Sequence, residues 1–298
     1  MPEILKLFHG SKVVPSVLEA GRFYHDVFGS WVYEAHYLPY EDSNNSANLM
    51  GGTFSMEMLA PKNPGGTTPS ARFLQRHGPH FINIAFWVKD APGLAQRLLD
   101  KGVRIALPGG NTISEFPAED FGYFLPHPKD MFGSLLEFIE DNPIFHDPRR
   151  APWWASEYWS ERHPLGVQGL SHCTVAVADL EGATKAYGDY LGCPMIHEGE
   201  NKEQGTKSRY FAIGDTVIEL AHPTLAESDI GRHMAAHGPI VYAFTFKVRD
   251  LGKARDHVQS LNLRSIARGD HTFELDPAQA FGAVYGFTVQ DIPGRPTA

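Results

Sequence analysis

HGPHFINIAFWVKD (residues 77–90) and HGPIVYAFTFKVRD (residues 237–250) are one phrase written twice in this chain. Each opens on His-Gly-Pro, passes through alternating apolar residues and closes on Val, a basic residue and Asp. Alternation at period two marks a strand with one buried face. A helix-period segment follows each copy, with Leu94, Leu98 and Leu99 ahead of Gly102 in the first and Leu251, Ala254, Val258 and Leu261 in the second. A strand feeding a helix therefore recurs within one chain, which points to an internal repeat.

Two further copies emerge from the same layout. HGSKVV (9–14) leads to a helix with Val17, Ala20, Tyr24 and Phe28 on one face, closed by Gly29. HCTVAV (172–177) leads to Asp179 and a helix with Leu180, Ala183, Tyr187 and Leu191, closed by Gly192. The offset from histidine to helix tyrosine is 15 in both, His9 to Tyr24 and His172 to Tyr187. Each unit ends in an extended stretch: TFSMEMLAP, SLLEFIED, TVIELAHP and AVYGFTVQD. The reading is α+β, four tandem βαβββ modules at about residues 7–60, 80–140, 168–222 and 239–290, paired into two cup-shaped, open-barrel domains. The expected domains are 1–145 and 168–298, joined by a Trp/Pro-rich linker at 146–167. Trp153, Trp154 and Trp159 make that linker too apolar for a free tether, so it should pack on a domain or on a partner subunit of a homodimer. Residues 40–51 and 61–72 read as loops.

The 298 residues suit two domains, and 42 % apolar with 20 % charged residues is ordinary for a soluble globular chain. No apolar run reaches membrane-helix length and the N-terminus lacks a secretory pattern, so no membrane is expected and the expected location is cytoplasmic. A net charge of −9 without a basic cluster argues against nucleic acid. Cys173 and Cys193 lack metal spacing and read as small buried thiols.

Carboxylates on the inner face of a strand are costly unless paired or metal-bound, which singles out Glu57, Glu137 and Glu219. Aligning the modules on their strand ends gives His9, Asn83, His172 and Ala243 on the first strands, and Glu57, Glu137, Glu219 and Gly286 on the last. Module four has lost both groups. Pairing in sequence order gathers His9, Glu57, Asn83 and Glu137 in one cup; crossed pairing would instead join His172 and Glu219 to Asn83 and Glu137. Either way one cup keeps a full polar set. His77 and His237 read as helix C-terminal residues. His80 points away from Asn83 unless the strand is bulged, and His127 lies in a PHPKD turn.

This pattern resembles the vicinal oxygen chelate superfamily, that is, the glyoxalase, bleomycin-resistance and extradiol dioxygenase proteins. FLQRHGPHFINIAFWV and FLPHPKDMFGSLLEFIE are most similar to its methylmalonyl-CoA epimerase branch. The resemblance implies a divalent metal (Mn, Fe, Co, Ni or Zn) held by His9, Glu57, Glu137 and Asn83, the last standing where the family more often has His. It implies Glu57 or Glu137 as catalytic base; His127, read from its PHPKD turn, is either a plain turn histidine or a substrate contact at the cup mouth. The expected activity is Lewis-acid chemistry on a small hydroxy, keto or acyl-thioester substrate, as an epimerase, isomerase or lyase. The alternatives are an extradiol-type dioxygenase, against which Ala243 and Gly286 weigh, and a non-catalytic small-molecule binding protein.

Overall fold

The computed structural model of the chain describes residues 2–52, 54–107, 112–113, 122–141, 154–202 and 204–295. The first half runs β1 (Glu3–Val13), α1 (Val17–Phe28), β2 (Trp31–Leu38), β3 (Ser43–Met50), β4 (Phe54–Pro61), α2 (Pro69–His77), β5 (His80–Lys89), α3 (Ala91–Asp100), β6 (Ile105–Ala106), β7 (Thr112–Ile113), β8 (Tyr123–Pro126) and β9 (Leu136–Glu140). A short helix, α4 (Trp154–Glu157), precedes the second half. That half contains β10 (Val167–Ala176), α5 (Leu180–Lys185), β11 (Met195–Asn201), β12 (Thr206–Ile213), β13 (Thr216–Pro223), α6 (Asp229–His237), β14 (Ile240–Val248), α7 (Leu251–Ser260), β15 (Ser265–Ala267), β16 (Thr272–Leu275) and β17 (Val284–Thr288).

The strands form two open sheets, ordered β2-β3-β4-β1-β5-β9-β8-β6-β7 and β11-β12-β13-β10-β14-β17-β16-β15. β1 lies antiparallel to β5, and β10 to β14, so module one joins module two and module three joins module four. The crossed alternative is thereby corrected: His172 and Glu219 sit in a different sheet from Asn83 and Glu137. Within each module the first strand also runs parallel to the last, placing Ser11 opposite Glu57 and Thr174 opposite Glu219.

Two loop assignments also need correction. Ser43–Met50 is strand β3, despite its run of Asn and Ser, because it lies between β2 and β4 with both ladders filled and Asn45 buried. Neighbouring strands override weak β-propensity at an internal position. The stretch 61–72 ends in the first turn of α2, with Thr68 as N-cap and Pro69 at its start.

Strand alternation sorts the two faces. Met56 and Met58 flank Glu57 and enter a core shared by both halves, together with Phe54, Phe86, Phe138, Phe244, Phe246, Tyr285 and Phe287. The helix tyrosines at offset 15 are part of this seam. Tyr24 shares a short hydrogen bond of 2.5 Å with Tyr285, and Tyr187 donates to Ser134 at 2.8 Å, each reaching into the opposite half. Lys12 is fully buried here; its ammonium donates to the Ala280 carbonyl at 2.9 Å and faces the rings of Phe81, Phe281 and Tyr285. Burial drives its pKa well below the usual lysine range. The two His-Gly-Pro phrases pack against the opposite half's Phe-Gly turn. Gly133, at φ +103°, lies against Pro239, and Gly282, at φ +72°, against Pro79, where an added Cβ would stand 2.4 Å from its neighbour.

Among the described linker residues, Trp159 is fully buried beside Leu49 and Trp31, and its indole donates to the Phe28 carbonyl at 2.8 Å. Trp153 lies outside the described residues. Cys173 and Cys193 are both buried thiols. No helix among the described residues is long and apolar enough to cross a membrane.

Candidate functional site

Four polar side chains converge in the first cup because β1, β4, β5 and β9 are neighbours there. His9 Nε2 lies 3.5 Å from Glu57 Oε2 and 3.9 Å from Glu137 Oε2. Asn83 Nδ2 donates to Glu137 Oε2 at 2.7 Å. The structure thus brings together His9, Glu57, Asn83 and Glu137.

The two carboxylates have different surroundings. Glu57 is held from both sides, accepting from Ser11 Oγ at 2.6 Å and from Asn45 Nδ2 at 2.5 Å. Glu137 accepts from Asn83, lies deep in the cup with its side chain 14 % exposed, and faces the Glu57 carboxylate. Burial, with the neighbouring negative charge second, lifts its pKa to about 8, against the lowering effect of Asn83. Such a carboxyl group carries a proton near neutral pH, which is the property of a general acid or base.

An apolar wall completes the cup. Ala85, Trp87 and Ile139 pack with Leu5, Phe8 and Tyr123, and the Phe8 and Trp87 rings are 4.5 Å apart. Tyr40 and Tyr123 hydrogen-bond one another close enough to feel both glutamates, and burial raises the pKa of both phenols. Ser11, Asn45, Tyr40 and Tyr123 are site residues that sequence reasoning missed. For Ser11 a signal existed: a hydroxyl residue stands two positions after the histidine in modules one and three, as Ser11 and Thr174. Asn45 and Tyr123 depend on register between strands, and Tyr40 on the turn between β2 and β3. His127 sits in the turn after β8, where its Nδ1 accepts from the Lys129 amide and the Arg104–Asp130 pair is adjacent.

The second cup keeps half the pattern. His172 Nε2 is 3.5 Å from Glu219 Oε2, which accepts from Thr174 at 2.6 Å, while Glu219 Oε1 accepts from Tyr210 at 2.8 Å. Ala243 and Gly286 occupy the remaining two positions, where no side chain can bind a metal. A cavity of about 550 Å³ opens there, with Arg268 and Glu274 paired at 2.7 Å on its wall.

Family profiles described as the Glyoxalase/Bleomycin resistance protein/Dioxygenase superfamily match residues 9–115 and 169–276. The chain belongs to that superfamily. The two superfamily matches fall one on each half, consistent with a duplicated cup. Over 102 residues the chain is 26 % identical to an ethylmalonyl-CoA/methylmalonyl-CoA epimerase of Cereibacter sphaeroides, spanning 34 % of this chain and 76 % of that protein. Over 73 residues it is 36 % identical to the mitochondrial methylmalonyl-CoA epimerase of Mus musculus, spanning 24 % of this chain and 41 % of that protein. A mutant 4-hydroxymandelate synthase from Streptomyces coelicolor superposes with TM-score 0.64 over 99 % of this chain and 96 % of its own, at 15 % identity, which is a likeness of fold.

Proposed function

We propose that the first cup is a divalent-metal site that moves a proton at a carbon beside a carbonyl, most closely an epimerase or isomerase of acyl-thioester or related oxygenated substrates. The observation that carries this reading is the pair of unequal carboxylates on one imidazole, Glu57 fixed by two donors and Glu137 raised to about 8. The epimerases among the superfamily relatives support the substrate class.

The residues fit a metal. One imidazole, two carboxylates and an amide suit a first-row divalent ion, and Asn83 Oδ1 is buried without a hydrogen-bond partner. His9, Glu57, Glu137 and Asn83 would hold it, and a bound ion would supply Lewis-acid stabilisation of an enolate oxygen. The chain's own residues do the remaining work. Ser11 and Asn45 keep the Glu57 carboxylate in one orientation. Glu137, held by the single donor Asn83 where Glu57 is held by two, is the carboxylate freer to exchange the proton. Phe8, Trp87 and Ile139 exclude water around the reacting carbon.

The test is solvent-deuterium incorporation into a panel of branched acyl-CoA thioesters and 2-hydroxy acids, with protein purified without chelator and its metal content measured. Exchange that follows metal content and falls at least about 100-fold in Glu137→Gln supports the assignment. Exchange unaffected by both Glu137→Gln and Glu57→Gln refutes it.

A further inference from the structure

Two histidine pairs meet at the seam between the halves. His77 and His237 end α2 and α6, and their Nδ1 atoms are 3.3 Å apart. His80 Nε2 is 2.8 Å from His233 Nε2. One nitrogen from each of His80, His233 and His237 lies within 4.8 Å of the other two. β5 is bulged at Ile82, with Ser11 opposite Asn83 but Lys12 opposite Phe81, and the His80 ring meets the α6 histidines.

The tautomers follow from the partners. His80 Nδ1 lies 3.0 Å from the Phe81 carbonyl, which can only accept, so Nδ1 carries the hydrogen and Nε2 holds a lone pair. His233 Nε2 faces that lone pair and must donate in the metal-free chain. The lone pair of His233 is then stranded on Nδ1, which is buried without a hydrogen-bond partner. A histidine pinned to a backbone carbonyl through one nitrogen, with the other aimed at further imidazoles, has the arrangement seen around bound metals.

We propose that His80, His233 and His237 form a second transition-metal site, one that ties the first half to the second and is separate from the cup. The donors are imidazoles alone, which favours Zn²⁺, Cu²⁺, Ni²⁺ or Co²⁺ over Mg²⁺ or Ca²⁺. His77 contacts His237 and orients its ring. Both line a groove of about 840 Å³ that gives an entry path, and Arg72 and Arg76 in the same groove favour an anion as balancing ligand. Since β5 and α6 belong to different halves, an ion here crosslinks them and stabilises the folded chain by mass action.

Zinc binding to the full-length, tag-free protein, after chelator treatment and dialysis, tests this by calorimetry and thermal shift. The parent should bind two equivalents, and His9→Ala should keep one together with a metal-dependent rise in Tm. His233→Asn and His237→Asn should each weaken the seam equivalent by roughly 100-fold or more and lose that rise. His237 is half-buried, so its Asn variant, checked by circular dichroism without metal, guards against misfolding at His233. One equivalent that His237→Asn removes and His9→Ala leaves would keep the seam site while overturning the cup reading. No bound zinc, or stoichiometry and Tm rise unchanged in both Asn variants, overturns the seam site.

Discussion

Glu137→Gln isolates the charge that the first cup tolerates least. In the folded chain the Glu137 pKa is about 8 against an ordinary 4.5, and each unit is worth about 1.4 kcal/mol. A carboxyl group whose folded pKa is raised stabilises the fold fully below the unfolded value, and that contribution is lost as pH rises through the folded one. In metal-free protein the loss therefore begins near pH 4.5 and is complete by about pH 9, summing to roughly 4–5 kcal/mol. Between pH 6 and pH 9 it amounts to about 2–3 kcal/mol, or about 4–6 °C in Tm for a chain of this length. Glutamine cannot ionise, so the variant should hold its Tm over that interval relative to the parent. Thermal unfolding of both proteins in EDTA at half-unit pH steps measures the difference, and the same series with Mn²⁺ or Zn²⁺ completes it. A divalent ion offsets the repulsion between Glu57 and Glu137, so at pH 9 metal should raise the Tm of the parent by more than that of Glu137→Gln, which keeps only the rise from the seam histidines. Parallel pH profiles in EDTA would falsify the burial argument, and equal metal effects on both proteins would sink the assignment of Glu137 as a ligand.

Three further outcomes are expected. Trp159→Ala removes a fully buried indole and its hydrogen bond to Phe28, and should cost about 3–5 kcal/mol in denaturant unfolding; a cost below 1 kcal/mol would show that 158–162 does not brace the first half. His80 is fully buried and neutral with a pKa near 4, so in metal-free protein this residue alone should cost about 2 kcal/mol as pH falls from 7 to 5, measured by denaturant unfolding. Stability of a depressed histidine is present above 6.5 and lost toward 4, and because His77, His163 and His233 are depressed as well, His80→Gln should shrink that acid limb without abolishing it. Gly133→Ala drives a Cβ into Pro239 at a positive φ, and should lower Tm by several degrees while leaving metal binding in the cup intact.

The modular fold was legible because four strands with alternating faces and four helices with apolar stripes repeat with shared punctuation, down to the equivalent Tyr24 and Tyr187. Their role was not legible, since a helix tyrosine looks like any core residue until Tyr285 and Ser134 are found opposite it in the other half. The same holds for β3: Ser43–Met50 is polar enough to read as a loop, and only the neighbouring strands β2 and β4 make it a strand.

By itself the sequence determined which residue types could do chemistry, because a histidine paired with a glutamate in modules one and three, and Asn83 with Glu137 in module two, survive translation into strands as same-face positions. It named His9, Glu57, Asn83 and Glu137 and showed module four bare. Tertiary structure decided the rest. Pairing β1 with β5, rather than crossing modules, placed those four in one cup and left His172 with Glu219 in another. It set two similar carboxylates apart by giving Glu57 two hydrogen-bond donors and Glu137 a dry wall, a difference of environment that no one-dimensional pattern carries. It also brought His80 within reach of His233 across 153 residues of chain, because two halves that repeat the same phrase pack those phrases against each other.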